Sequence, residues 1–298
     1  MYNTAYTEPS YPQRFPARRI VFSSSGDLNR AQRTLKTAAE SLFAVFFPSD
    51  CRICQSSLLN ISNLPVCQAC LKQVAPRTGL FCSLCGEKLF SEHVQTEEGP
   101  RCGMCRRAAP PFAWASAYGA YEGVLRDLIH LLKYQRVQSV APLLGQLMDQ
   151  AIQGRQLPQE LLVIPVPLFK GKRRSRGFNQ AEAIAKAFVI RHRARSIQLD
   201  TSSLARIRET ASQTGLTRHQ RRANIRGAFA VARPERIQGR DLLVVDDVMT
   251  TGTTAGECAR VLLRAGAKQV FVATVARATR EIEIRFDEQS AWANAAHA

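Results

Sequence analysis

A chain of 298 residues with 45% hydrophobic content has enough apolar material for one large domain or two smaller ones. Its formal net charge of +17 favours a polyanionic partner: nucleic acid, phosphorylated metabolites or an anionic membrane face. No apolar run approaches the roughly 18 residues of a membrane span, and the polar stretch from Met1 to Gln13 has no apolar signal-peptide core. The expectation is a cytoplasmic protein without a transmembrane span, the inner face of the membrane being a second location.

Residues 1–30 are rich in Pro, Ser, Tyr and Arg, show no period, and are expected to be disordered. Over 31–47, Leu35, Ala38, Leu42 and Phe46 recur at helical spacing. That predicts an amphipathic helix docked on the segment that follows. A membrane-surface role is the alternative, less favoured because the polar face carries few basic residues.

The segment 48–110 is defined by cysteines. Of 9 in the chain, all but Cys258 form C-x-x-C pairs: Cys51/Cys54, Cys67/Cys70, Cys82/Cys85 and Cys102/Cys105. Two residues between thiolates let one turn present both sulfurs to one metal, and two such turns complete a tetrahedral site. Without a secretion signal, cytosolic thiols stay reduced, which argues against a disulfide framework. Four copies are too many for a redox motif, and an iron–sulfur cluster is a minor alternative. The reading is a double zinc ribbon with two structural Zn²⁺ ions. Sequential pairing is favoured over a cross-brace because closing the shorter loops costs less entropy. Four thiolates leave no open position for catalysis.

Pro110-Pro111 marks the boundary to a segment over 112–285, and 286–298 reads as a tail. Within it, strands are predicted at Trp114 to Tyr121, Leu161 to Val166, Leu242 to Asp246 and Gln269 to Val275. Helices are predicted at Gly123 to Tyr134, near Val140 to Ile152, at Asn179 to His192 with Ala183, Ala187 and Ile190 inward, and at Gly256 to Ala265. This alternation predicts an α/β fold with a parallel sheet flanked by helices. Ligands in such sheets bind at the carboxyl ends of strands.

Three segments carry chemistry. Pro165-Val166-Pro167 leads into Lys170, Lys172, Arg173, Arg174 and Arg176, a cationic loop suited to pyrophosphate, since Arg forks match phosphate oxygens. The stretch from Arg206 to Phe229, with Arg208, Gln213, Arg221 and Asn224, is polar, cationic and long, as a cover over an anion would be. From Lys170 to Arg240 there are 18 Lys/Arg against 4 Asp/Glu, a difference of +14. Third, the apolar run Leu242 to Val245 ends in Asp246-Asp247, followed by Thr250, Thr251, Gly252, Thr253 and Thr254. Such a loop gathers backbone N–H groups at a helix N-terminus and binds phosphate. The adjacent carboxylates can accept hydrogen bonds from vicinal hydroxyls. A Walker-B reading fails for want of a G-x-x-x-x-G-K-[ST] loop. Cys258 shares a helical face with Val261, Leu262 and Ala265 and reads as core.

The Asp-Asp-Thr string resembles the phosphoribosyl-pyrophosphate (PRPP) loop of type I phosphoribosyltransferases. The full order adds four C-x-x-C pairs, Pro-Val-Pro with Arg-Gly-Phe-Asn-Gln, and Arg-x-Arg-x-Thr-x-x-Gln with Arg-x-x-Asn. It resembles the ComF (competence protein F, GntX-like) family over roughly residues 45 to 280. The resemblance implies a zinc-ribbon module fused to a type I phosphoribosyltransferase-like domain, and a part in single-stranded DNA uptake during natural transformation. It implies that Asp246 and Asp247 meet ribose hydroxyls and that Thr250 to Thr254 hold the 5′-phosphate. The Lys172–Arg176 loop would then face a Mg²⁺-bound pyrophosphate, with Arg208, Gln213, Arg221 and Asn224 in the hood. Partners would be PRPP, single-stranded DNA and competence proteins such as a DNA-translocating helicase. The competing reading is an active phosphoribosyltransferase with an unknown acceptor; the pocket for that acceptor nucleophile is not identifiable in the sequence, and the catalytic residues are unknown.

Overall fold

The computed structural model describes residues 49–58, 63–90, 99–192, 195–210 and 218–278. The expected tail (1–30), the expected helix (31–47) and the end segment (286–298) lie outside the described residues.

The cysteine-rich part folds as two small units. In the first, β1 (Ser49–Asp50) pairs antiparallel with β2 (Ser57–Leu58), and a short helix α1 (Gln68–Leu71) follows. In the second, an isolated bridge joins Phe81 to Lys88 and leads to α2 (Gly103–Arg107). Both short helices begin at a cysteine N-cap, Cys67 and Cys102, so the pairs Cys67/Cys70 and Cys102/Cys105 each straddle a helix start.

The rest of the chain runs β3 (Ala115–Ala120), α3 (Gly123–Lys133), α4 (Ala141–Ala151), β4 (Glu160–Pro165), α5 (Lys170–Arg176), α6 (Gln180–Arg191) and β5 (Ser196–Leu199). It continues with β6 (Leu204–Arg206), α7 (Arg218–Ile225), β7 (Phe229–Val231), β8 (Asp241–Met249), α8 (Thr253–Arg264) and β9 (Gln269–Arg277). Five strands form one sheet in the order β3-β9-β8-β4-β5, every pair parallel. β6 and β7 form a separate antiparallel pair.

The sheet is buried on both faces, as its continuous apolar runs require. Leu243 and Val245 of β8 face α3, α4 and α6, whereas Leu242 and Val244 face α8 and the β6–α7–β7 unit. Strand alternation therefore sends Asp247 to the first side and Asp246 to the second. After β4 the chain crosses to β5, and after β8 it crosses the other way to β9. The switch in direction between β4 and β8 opens a crevice at their carboxyl ends, where ligands of such sheets bind.

Three features depart from the sequence expectations. β8 continues through Met249, so the carboxylates sit within the strand, Asp246 opposite Thr274 of β9. The cationic stretch after β4 forms a helix, α5, with no buried residue. The inward face of α6 is Ala181, Ile184, Ala185 and Phe188, and Ile190 is 47% exposed. Two sets of residues on α6 satisfy helical spacing, and the set that buries the larger Ile184 and Phe188 prevails because it removes more apolar area from water.

The ribbons are joined to this domain. Leu71 and Val74 of the first share the core formed by α3, α4 and β9. In the second, Ala115 N–H donates to Leu84 O at 2.7 Å, and a Cβ on Gly86 would stand 2.9 Å from Ala115 O. Only glycine allows that approach, at a φ of +69°. Arg277, at the end of β9 and 3% exposed, donates to Cys85 O at 2.8 Å and to Glu87 at 2.6 Å.

Candidate functional site

The crevice is a cleft of about 410 Å³. Its floor is the end of β8 and Thr274 of β9. One wall is the loop into α8, with Thr250, Gly252, Thr253 and Thr254. Gly252 takes φ +75° at the N-cap, which turns the chain sharply enough to start α8 at Thr253. Thr251 lies outside the lining, where its hydroxyl bonds that of Thr253 at 2.7 Å and steadies the turn. The first-turn N–H groups of a helix lack intrahelical partners and carry the positive end of its dipole, so this wall favours an anion.

The two carboxylates differ. Asp247 is 3% exposed, and its Oδ1 pairs with Lys133 Nζ at 3.0 Å. Its Oδ2 is buried with no hydrogen-bond partner among the described residues. Burial works against the charge of Lys133, but Asp247, helped by Tyr121 and Asp246, raises its pKa overall. Asp246 accepts the Asp247 N–H at 2.9 Å. Burial, followed by the charge of Asp247, pushes its carboxyl up to about 7.

A second wall went unread in the sequence. Tyr121, His130, Lys133 and Tyr134 line the cleft from the start and the inner edge of α3. Tyr121 Oη and His130 Nε2 are 2.8 Å apart. Burial, then Arg126 and Lys133, lowers the pKa of His130 and favours the neutral ring. Lys133 follows Leu125 and Ile129 at i+4 steps on the apolar stripe, and a lysine on the inward face was the available signal. Arg206 of β6, read in the sequence only as the start of the cationic cover, lines the cleft and bonds Thr210 at the base of the hood.

The cationic candidates separate in space. Lys172 and Arg221 line the cleft. Arg173 and Arg174 line a second, open groove with Lys170 and Gly177. Arg176 sits over the Tyr134 ring at 5.6 Å and bonds Gln180, itself a cleft residue, at 2.5 Å. Arg208 donates to Asn224 O and Arg226 O, both at 2.8 Å, and so ties the hood to itself rather than facing the cleft. Gln213 lies outside the described residues. Asn179 is structural: it caps α6 and donates to Val166 O at 3.0 Å. Cys258 is on the inward face of α8, fully buried in the core.

The eight ribbon cysteines gather as Cys51, Cys54, Cys67 and Cys70, and as Cys82, Cys85, Cys102 and Cys105, the sulfurs of each set within 4.8 Å of one another. Pairing is sequential, as the loop lengths predict. Backbone N–H groups point at sulfur, Cys67 N to Cys51 Sγ at 3.3 Å and Cys70 N to Cys67 Sγ at 3.4 Å. In the second set, contacts from Cys105 and Cys85 hold Cys82 well below the ordinary thiol range, and the same contacts push Cys105 far up. Sulfurs this close share protons as thiols; a divalent cation relieves the crowding by replacing them. The donor set fits structural zinc.

Sequence comparison agrees with this architecture. Residues 42–110 match a double zinc ribbon domain and residues 174–292 a phosphoribosyl transferase domain. DNA utilization protein YhgH of Shigella flexneri is 33% identical over 232 residues, 76% of this chain and 95% of that protein. The chain belongs to the ComF family. Its Haemophilus influenzae member, Competence protein F, is 29% identical over 244 residues, 78% of this chain and 99% of that one. A solved allosteric regulatory enzyme of purine biosynthesis is 22% identical with a TM-score of 0.30, over 46% of this chain and 26% of that chain. In this ComF chain, then, a ribbon pair with the donor set of structural zinc is fused to a phosphoribosyltransferase-like parallel sheet. Among the described residues no helix is long and apolar enough to cross a membrane.

Proposed function

We propose that this ComF chain binds PRPP in the cleft and acts on single-stranded DNA during uptake. The observation that carries the PRPP reading is the orphaned Oδ2 of Asp247, buried beside a loop built for a phosphate. An unsatisfied buried acceptor costs roughly 1–3 kcal/mol. A ribose hydroxyl would donate to it, and its vicinal neighbour would meet Asp246. The 5′-phosphate would then lie on the N–H groups at the start of α8. Lys172, Arg206 and Arg221 bring positive charge to the same space and would face the pyrophosphate. Mg²⁺ would arrive with that pyrophosphate and neutralise part of its charge.

The DNA reading rests on the names of the relatives and on the +14 charge difference between Lys170 and Arg240. PRPP alone does not need so much positive charge. The test of the cleft is calorimetry with PRPP and Mg²⁺ on the zinc-loaded protein. Charge-assisted hydrogen bonds are worth roughly 1.5–3 kcal/mol each, so changing both Asp246→Ala and Asp247→Ala should weaken PRPP at least tenfold. A double variant that binds PRPP as tightly as wild type places the ligand elsewhere.

A further inference from the structure

The helix α5 is cationic on two faces that point to different places. Lys172 and Arg176 stand one turn apart; Lys172 lines the cleft and Arg176 reaches Gln180 and the Tyr134 ring at its rim. Lys170, Arg173 and Arg174 fall at i, i+3 and i+4 and line a separate open groove. In that groove Arg173 pairs with Glu182 at 3.6 Å, so the face keeps a net positive charge. The far end of α5 gains a further cation. Arg136 takes a left-handed φ of +58° and donates to Ser175 O at 2.7 Å. Beside it, Tyr134 is 66% exposed, with Arg176 over its ring and the His130 ring edge-on at 5.2 Å. A large exposed aromatic ring held by two neighbours is preorganised to receive another ring.

We propose that the outer face of α5, with Arg136, is the track for the phosphates of a single nucleic-acid strand, and that Tyr134 at the rim of the cleft stacks one of its bases. The proposal rests on the DNA reading above and assigns that reading a place. Cations along a groove follow a phosphate backbone, and an aromatic platform takes unpaired bases without regard to sequence. A duplex keeps its bases stacked inside and gains nothing from Tyr134. The inner face of α5 is left to the phosphates of the cleft ligand, so one seven-residue helix serves two polyanions.

The experiment uses the zinc-loaded full chain, a labelled oligo-dT of about 20 nucleotides followed by anisotropy across a salt series, and PRPP with Mg²⁺ followed by calorimetry. The variant K170Q/R173Q/R174Q should bind the oligonucleotide at least tenfold more weakly. Its salt slope should be shallower by about two, three phosphates at about 0.7 each, with PRPP affinity within about twofold of wild type. Tyr134→Leu should weaken the oligonucleotide severalfold, and Tyr134→Phe should restore it. If wild type binds the strand and the triple variant binds it equally well, the track is elsewhere and the DNA reading survives. If wild type fails to bind at low salt, both fall. A duplex bound as tightly as the single strand overturns the role given to Tyr134.

Discussion

Asp246 and Asp247 are neighbours in the chain but not in environment, because strand alternation sends them to opposite sides of the sheet. Asp247 has a cation of its own in Lys133 at 3.0 Å. Asp246 is half-buried, and desolvation by its surroundings and the carboxylate beside it raise its pKa to about 7. In the unfolded chain the same group titrates near 4. Between those values the folded protein holds a proton that the unfolded one has lost, so the contribution of Asp246 to stability is present below about pH 4 and is lost as pH rises through about 7. Denaturant midpoints from pH 4.5 to 8 should fall in wild type relative to Asp246→Asn; parallel profiles would remove the assignment. Lys133 gives a second prediction. Its replacement by Met leaves Asp247 charged and buried without its partner, which costs about 3–5 kcal/mol. The double variant K133M/D247N should recover part of that loss. If the two single changes add without coupling, the pair is not a functional unit.

At the scale of elements, what could be read from the sequence is what is local. The C-x-x-C spacings fix their own turns, and the apolar run before Asp246 followed by Thr-Thr-Gly-Thr-Thr fixes a strand, a turn and a helix start. The edge strand β5 was invisible because Ser196, Ile197, Gln198 and Leu199 are too few for a period. The helix α5 was read as loop because a run of like charges disfavours a helix unless one end is packed. Here Gly177, in a left-handed conformation, ends it, and Arg136 bonds its last turn. The α3 wall was missed because its polar residues reach the cleft only after β3 and β9 pair across 157 positions, Ala115 with Val272. Periodicity shows which face is buried and is silent on what that face meets. The ribbons permit a direct test. The zinc-loaded chain should carry two ions, and Cys67→Ser should leave one. Because Leu71 and Val74 belong to the main core, that loss should also lower the melting temperature of the whole chain, by several degrees for each 1 kcal/mol lost. Zinc analysis that returns no zinc, or iron in its place, rejects the metal assignment.

At the scale of the whole molecule, the second ribbon is wired to the cleft through one residue. Arg277 gives its guanidinium to Cys85 O and Glu87, on the turn that holds the second sulfur set. Its carbonyl accepts from Tyr121 N at 2.9 Å, and its neighbour Ala278 donates to Met249 O at 3.0 Å. Tyr121 and Met249 both line the cleft. Arg277 Nε is buried with no partner among the described residues, so the guanidinium depends on those two acceptors. A zinc ion bound to the second sulfur set would keep them in place. Without it the turn from Cys82 to Glu87 has only its backbone hydrogen bonds, and a buried cation would lose its counter-charge, an arrangement that costs several kcal/mol and forces the residue to move. The first ribbon meets the domain on apolar surface, through residues that include Leu71 and Val74, and among the described residues no buried side-chain cation joins its sulfur set to the cleft. The two metal sites should therefore differ in their effect on ligand binding. Cys102→Ser should weaken PRPP by tenfold or more, while Cys67→Ser should lower stability and leave PRPP affinity within a few-fold of wild type at a temperature where both variants are folded. Glu87→Gln keeps all eight thiolates and removes the counter-charge, so it should retain both zinc ions and still weaken PRPP. Calorimetry paired with zinc analysis on the three variants decides the matter. Equal PRPP affinities in Cys102→Ser and Cys67→Ser, with one zinc ion retained in each, would show that Arg277 only packs the ribbon in place.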